Sequence, residues 1–224
     1  MDVLNARVVS SWMNLVYRPV VFFQDRVARP PSWWWAAGGP AVCTCLVLVS
    51  QLLFLSRTAP PLTASLTSAG VPAAFIVSSQ YLGLVTAASI CLVMWLLASA
   101  VTIACDVLFR GTDDVFRVLE VSGLAFYSQV PWLLAVVVVA WCYQPPFLEL
   151  GQAGTAVVEP ARLLRLLRDD ETRLLLRTVN EGSTLWLHGL FGAGYHAVSH
   201  TPLPRCLLLA LAIYGLPHLI RVLT

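Results

Sequence analysis

The chain of 224 residues is 58% hydrophobic and only 12% charged, about half the charged share of an ordinary soluble domain, which excludes a fold whose surface is covered by charge. Its apolar residues come in blocks too long for the core helices of a soluble protein, so the expected solvent is a bilayer and the expected unit is one membrane domain. A formal net charge of +2 without a dense basic patch removes nucleic acid from the partners to consider.

All 14 basic residues are Arg and none is Lys, a bias that fits a GC-rich genome and gives the expectation of a bacterial inner membrane. Asp2, Asn5 and Arg7 interrupt the first residues, and no apolar run follows soon enough to make a signal core, so the N-terminal segment is expected to be retained. The six cysteines fall in or at the ends of apolar segments, where a thiol behaves as a small hydrophobe. Cys43 and Cys45, two apart, point to different sides of a helix and make a poor metal pair.

In chain order, residues 1–35 form an amphipathic approach segment in which Arg7, Arg18, Arg26 and Arg29 alternate with Trp12, Tyr17, Phe22 and Phe23. Aromatic rings and guanidiniums together suit the headgroup layer, so this stretch is expected on the membrane surface. Pro30 and Pro31 stop it, and Trp33, Trp34 and Trp35 form an interfacial belt. A three-span core over 36–143 follows. Its first span is Ala36–Ser56. A linker over Arg57–Ser78 is broken by Pro60, Pro61 and Pro72. The second span is Gln80–Cys105. Asp106, Arg110, Asp113, Asp114, Arg117 and Glu120 then mark a polar connection around Gly111, with Asp106 and Arg110 spaced as an i,i+4 ion pair. The third span, Val121–Tyr143, carries Pro131 as a bend and Trp141 and Tyr143 as its cap.

The 144–183 region turns polar. Within it Pro160–Asn180 reads as an amphipathic helix, with Leu163, Leu164, Leu167, Leu174 and Leu175 on one stripe and Arg162, Arg165, Arg168 and Arg173 mostly away from it. This helix is expected to rest on headgroups, with Glu171 on the apolar stripe partnered by Arg168. Residues 184–224 complete the chain as a membrane hairpin of two weaker spans, Thr184–Ser199 and Leu203–Leu223, turning at Thr201–Pro204. The fold class expected is all-α, a polytopic transmembrane helical bundle of about five spans with amphipathic surface helices. Arginine counting is level, seven on each side, and the segment nearest the first span favours a cytoplasmic N-terminus.

Three stretches in order resemble the Yip domain family, the Ypt/Rab-interacting membrane proteins and their bacterial relatives. Arg18-Pro19 followed by Phe22-Phe23 and the Ser32–Trp35 entry resembles that family's opening segment. Gly111-Thr112 through Phe116, Leu119–Tyr127 and Pro131 resembles its glycine-initiated run into a span with an early proline. Leu185-Trp186-Leu187 with Gly189-Leu190, a polar turn and a final apolar helix resembles its close. The resemblance implies a five-span bundle with a cytoplasmic N-terminal segment and, in eukaryotic members, roles in vesicle traffic and small-GTPase partnership. The charged 145–183 segment departs from the pattern.

His196 and His200 share a helix face, with His188 about two turns earlier, a spacing that can ligate a metal or macrocycle. No carboxylate accompanies them, so interfacial or inter-helix hydrogen bonding is the stronger expectation and no cofactor is expected. Gly189, Gly192 and Gly194 read as helix-packing residues rather than a phosphate loop. No nucleophile, phosphate-binding or zinc-protease motif occurs. The expected function is therefore a non-enzymatic scaffold or adaptor of the Yip type, whose partners are the lipid bilayer and other membrane proteins or further copies of itself. The alternatives are an accessory subunit of an energy-transducing or transport complex and a small transporter, which would need a polar midplane path that these spans barely offer.

Overall fold

The computed structural model describes residues 13–68, 70–109, 114–144, 170–199 and 201–223. Residues 13–17 are helical, and then come α1 (Pro19–Val27), α2 (Trp33–Ser68), α3 (Ala73–Phe109), α4 (Val115–Phe126), a 3-10 turn at Tyr127–Gln129, α5 (Val130–Cys142), α6 (Glu171–Ser199) and α7 (Leu203–Leu223). Trp33–Pro60, Ala73–Ala104 and Val115–Cys142 are long and apolar enough to cross a membrane, at 28, 32 and 28 residues. At about 1.5 Å of rise per residue each exceeds a hydrocarbon layer of about 30 Å. The protein is thus membrane-associated and helical, with three such helices among the described residues.

Several boundaries differ from the sequence expectation, each for a local reason. Helix α2 runs through Pro60 and Pro61 to Ser68. A proline removes one intrahelical donor, and apolar surroundings that cannot solvate a broken helix favour keeping the remaining bonds. The break comes instead at Gly70, whose φ of +85° is open to glycine. Gly70 N donates to Thr67 O at 3.0 Å and Val71 N to Leu66 O at 3.0 Å, the paired bonds of a Schellman close. Helix α4 starts at Val115 because the Asp114 carboxylate caps the Arg117 N–H at 3.0 Å. Glu120, expected in a polar connection, therefore lies inside a helix. Residues 171–199, expected as a surface helix followed by a separate span, form the single helix α6. Asp106, Arg110 and Gly111 carry expectations that lie outside the described side chains.

By their contacts the residues fall into two compact units, one within Met1–Cys43, Cys91–Val130 and Gly182–Thr224, the other within Thr44–Ile90 and Pro131–Glu181. In the first, Ser32 meets Glu120, Ala36 meets Gly123 and Cys43 meets Phe126 in ascending order. Helices α2 and α4 therefore run the same way, as two membrane-crossing helices do when a single crossing, α3, lies between them in the chain. Gln129 meets Ser183, Phe126 meets Phe191 and Val121 meets Gly194, so the end of α6 runs back along α4. Residues 187–198 of α6 are buried almost throughout, which makes this the central helix of the unit. Trp95 and Ser99 of α3 join through Ser122, with Trp95 Nε1 donating to Ser122 Oγ at 3.1 Å and the two serine hydroxyls 2.7 Å apart.

In the second unit, Arg57 donates to the carbonyl of Trp141 at 3.1 Å. Phe54 stacks edge-on against Tyr143 with centroids 5.1 Å apart. The Tyr143 hydroxyl donates to the Asp170 carboxylate, which also accepts from Thr172 N at 2.9 Å and so caps the start of α6.

The α2–α4 crossing depends on absent side chains. A Cβ at Gly123 would collide with the Ala36 carbonyl, and one at Gly39 would collide with the Gly123 carbonyl. Gly123→Val should destabilise the protein by about 1–3 kcal/mol or more through overpacking, seen as a lower thermal midpoint in detergent. Gly189→Ala, where a Cβ meets nothing within 4 Å, should leave the midpoint unchanged or raise it by the equivalent of about 0.4–1 kcal/mol.

Candidate functional site

Chemistry concentrates where α1, the 28–32 connection and α4 meet. Pro19 opens α1 at its first turn, where its missing N–H costs nothing. The helix turns Phe23 fully inward, where its ring lies 3.4 Å from the Cβ position of Gly194 on α6. Arg26 follows one turn later on the same side. Its guanidinium donates to Glu120 Oε1 at 2.5 Å and to Pro30 O at 3.0 Å, and it lies 6.0 Å from the Trp35 ring centroid.

Glu120 has no exposed side-chain surface, while Arg26 and Arg117 expose 11% and 12% of theirs. Arg117, three residues before Glu120 and hence on the same helix face, donates from Nη1 to Glu120 Oε2 at 2.8 Å. Its other terminal nitrogen donates to the carbonyl of Arg29, and Asp114 lies 3.7 Å from its Nε. The backbone N–H of Ser32, just ahead of α2, completes the set at 3.0 Å from Glu120 Oε1. One carboxylate thus takes charge-assisted bonds from two arginines and a helix-entry amide. Burying it unpaired would cost several kcal/mol, so the three segments hold together or the group is stranded.

Of the residues expected on the membrane surface, Arg18 is exposed and Trp33, Trp34 and Trp35 are exposed. Trp33 also stacks against Phe116, with ring centroids 4.6 Å apart. Phe22 is half-buried, and Phe23 is a correction. An interfacial ring was expected there, but helix periodicity places it beside Arg26 on the face that packs inward. Arg173 falls on α6, with its side chain outside the described residues. Arg162, Arg165, Arg168 and His200 also lie outside them.

His196 Nδ1 is 2.6 Å from Thr201 O and helps stitch the α6–α7 turn. His188 is buried, with Nδ1 2.8 Å from Thr184 O and its ring edge-on to Phe191. Among the described residues no group of three or more His, Cys, Asp or Glu side chains could hold a metal ion. The sequence reading missed the clamp because it took Glu120 for part of a solvated connection. The available signal was the Arg117–Glu120 spacing directly before an apolar run, where a carboxylate must find a cation.

Replacing Glu120 with Ala sets two nearly buried guanidiniums beside one another without a counter-charge, and the expected loss is about 3–5 kcal/mol. Thermal unfolding should report it, together with faster amide exchange over Pro19–Val27. Asp114→Asn keeps a good N-cap and touches a half-exposed carboxylate, so its cost should stay below about 1 kcal/mol.

No protein-family model, no curated protein and no solved structure matches this chain.

Proposed function

We propose that the protein is a non-enzymatic membrane scaffold or adaptor of the Yip type, a five-span bundle of the bacterial inner membrane that carries partners on its surface segments. The observation that supports this most is the clamp itself. Its carboxylate and both arginines are spent on fixing the N-terminal segment to the head of the membrane-crossing helices. Such an arrangement gives a rigid presentation surface, which an adaptor needs. The family reading rests on the Arg18-Pro19, Phe22-Phe23 and Leu185–Leu190 patterns, and the close packing at Gly192 and Gly194 of α6 is compatible with it.

A second reading, an accessory subunit of a larger membrane assembly, draws on α3. Phe75, Tyr81, Leu82, Val85 and Val93 stand exposed along this helix, a surface that neighbouring spans could cover as well as lipid does.

Extraction of the tagged chain in polymer-bounded native lipid discs, followed by quantitative mass spectrometry, tests both readings. One or a few membrane proteins should be enriched near stoichiometry over an unrelated tagged membrane protein, and their enrichment should fall at least about tenfold in Glu120→Ala if the presented segment carries the contact. Recovery as a lone monomer would count against scaffold and subunit alike, and solute uptake into reconstituted vesicles would move the reading to a transporter.

A further inference from the structure

The N-terminal segment exposes aromatic and apolar side chains among its charged ones. One of its ionic residues, Arg26, faces inward, as do fully buried Leu15 and Phe23. Its outer side shows Tyr17 and Val21, which are 75% and 44% exposed, and the chain then presents Trp33 and Trp34 at 64% and 83%. Water is a poor solvent for that outer side. Trp33 and Trp34 are also the first residues of a helix apolar enough to cross a bilayer, so these rings stand where hydrocarbon gives way to headgroups. Val42, further along the same helix, is exposed as well.

Charge points the same way. Arg26 and Arg117 are neutralised within the clamp, but Arg18 and Arg29 are exposed and enter no ion pair among the described residues. One exposed carboxylate, Asp25, stands against them. Tyrosine and tryptophan with an apolar body and a polar tip, flanked by free guanidiniums, match the acyl–phosphate boundary of a phospholipid layer.

The geometry points to the outer face of this segment, Tyr17, Val21, Trp33 and Trp34 with Arg18 and Arg29, as a seat for anionic phospholipid, held at the required angle by the Arg26–Glu120–Arg117 clamp. The clamp acts as a positioning device and the lipid is bound by the face it turns outward. This requires only that the long helices cross a bilayer, and it holds whichever protein partner is carried.

The test uses the full chain with p-benzoylphenylalanine in place of Tyr17 or of Val21, in lipid nanodiscs made from equal parts phosphatidylglycerol and phosphatidylcholine. After illumination, intact mass should show lipid adducts at both positions, with phosphatidylglycerol favoured about fivefold, as expected for one net positive charge near an anionic surface. Arg18→Gln with Arg29→Gln leaves only Asp25 charged on this face and should bring that ratio to one or below while adducts persist. Arg26→Met should lower the adduct yield at Val21 severalfold, and Gly189→Ala, where an added Cβ meets nothing within 4 Å, should leave it unchanged. Absence of lipid adducts at both positions, or adducts to protein in their place, overturns the seat. An unchanged lipid ratio in the Arg18/Arg29 variant overturns its charge selectivity, and an unchanged yield in Arg26→Met overturns the role of the clamp. Loss of co-purifying partners with lipid adducts intact would count against the adaptor reading alone.

Discussion

A carboxylate with no exposed surface at the mouth of a membrane bundle must be neutralised from every side, and Glu120 sets that condition for the elements around it. Two cations come from different segments, one on α1 and one on its own helix, and the amide just ahead of α2 supplies the third bond. Because the first N–H groups of a helix lack intrahelical acceptors and carry the positive end of its dipole, an anion placed there also settles the entrance of α2. The same group therefore fixes where the N-terminal segment lies, where the first long helix begins, and how α2 and α4 are aligned.

Below that level the bundle follows the logic of an apolar solvent. Several hydroxyl side chains are turned inward or tied to their own helix, and many bulky apolar ones stand exposed along α3. Thr86 and Ser89, exposed on α3, donate to the carbonyls of Leu82 and Val85, each at 2.8 Å, so neither leaves an unmet hydrogen bond facing lipid. Where hydroxyls are shared between helices, as with Ser99 and Ser122, they join α3 to α4 in a place where hydrophobic contact alone gives little preference for one helix neighbour over another. Small residues at Ala36, Gly39 and Gly123 do the remaining work by letting backbones approach.

The long apolar runs were legible because length and hydropathy are additive along a sequence, and three of them emerge as helices of membrane-crossing length. Their ends were less legible. A proline pair reads as a break in water, whereas α2 continues through Pro60 and Pro61. An aspartate reads as a loop, whereas Asp114 starts α4 six residues before the apolar run. The clamp was hidden for a related reason: Glu120 meets Arg26 across 94 positions of sequence, and only folding brings them together. The end of α6 looked weak as a span because His188, Tyr195 and four polar or glycine neighbours dilute its hydropathy, yet packing buries it more completely than the apolar α3.

That last contrast bears on how the protein is assembled. A segment that owes its place to surrounding helices, rather than to its own affinity for hydrocarbon, has no reason to enter the bilayer ahead of them. Residues 187–198 pack against α4 through Gly194 and against α7 through Gly192, whose missing Cβ positions lie 3.0 Å from Val121 and from the Cys206 carbonyl. The wall at Val121 is translated before the central helix, whereas Cys206 emerges after it. The order of synthesis thus leaves this part of the bundle waiting for α7, and the turn at Thr201 and Pro202 becomes the step that sets the second wall beside it.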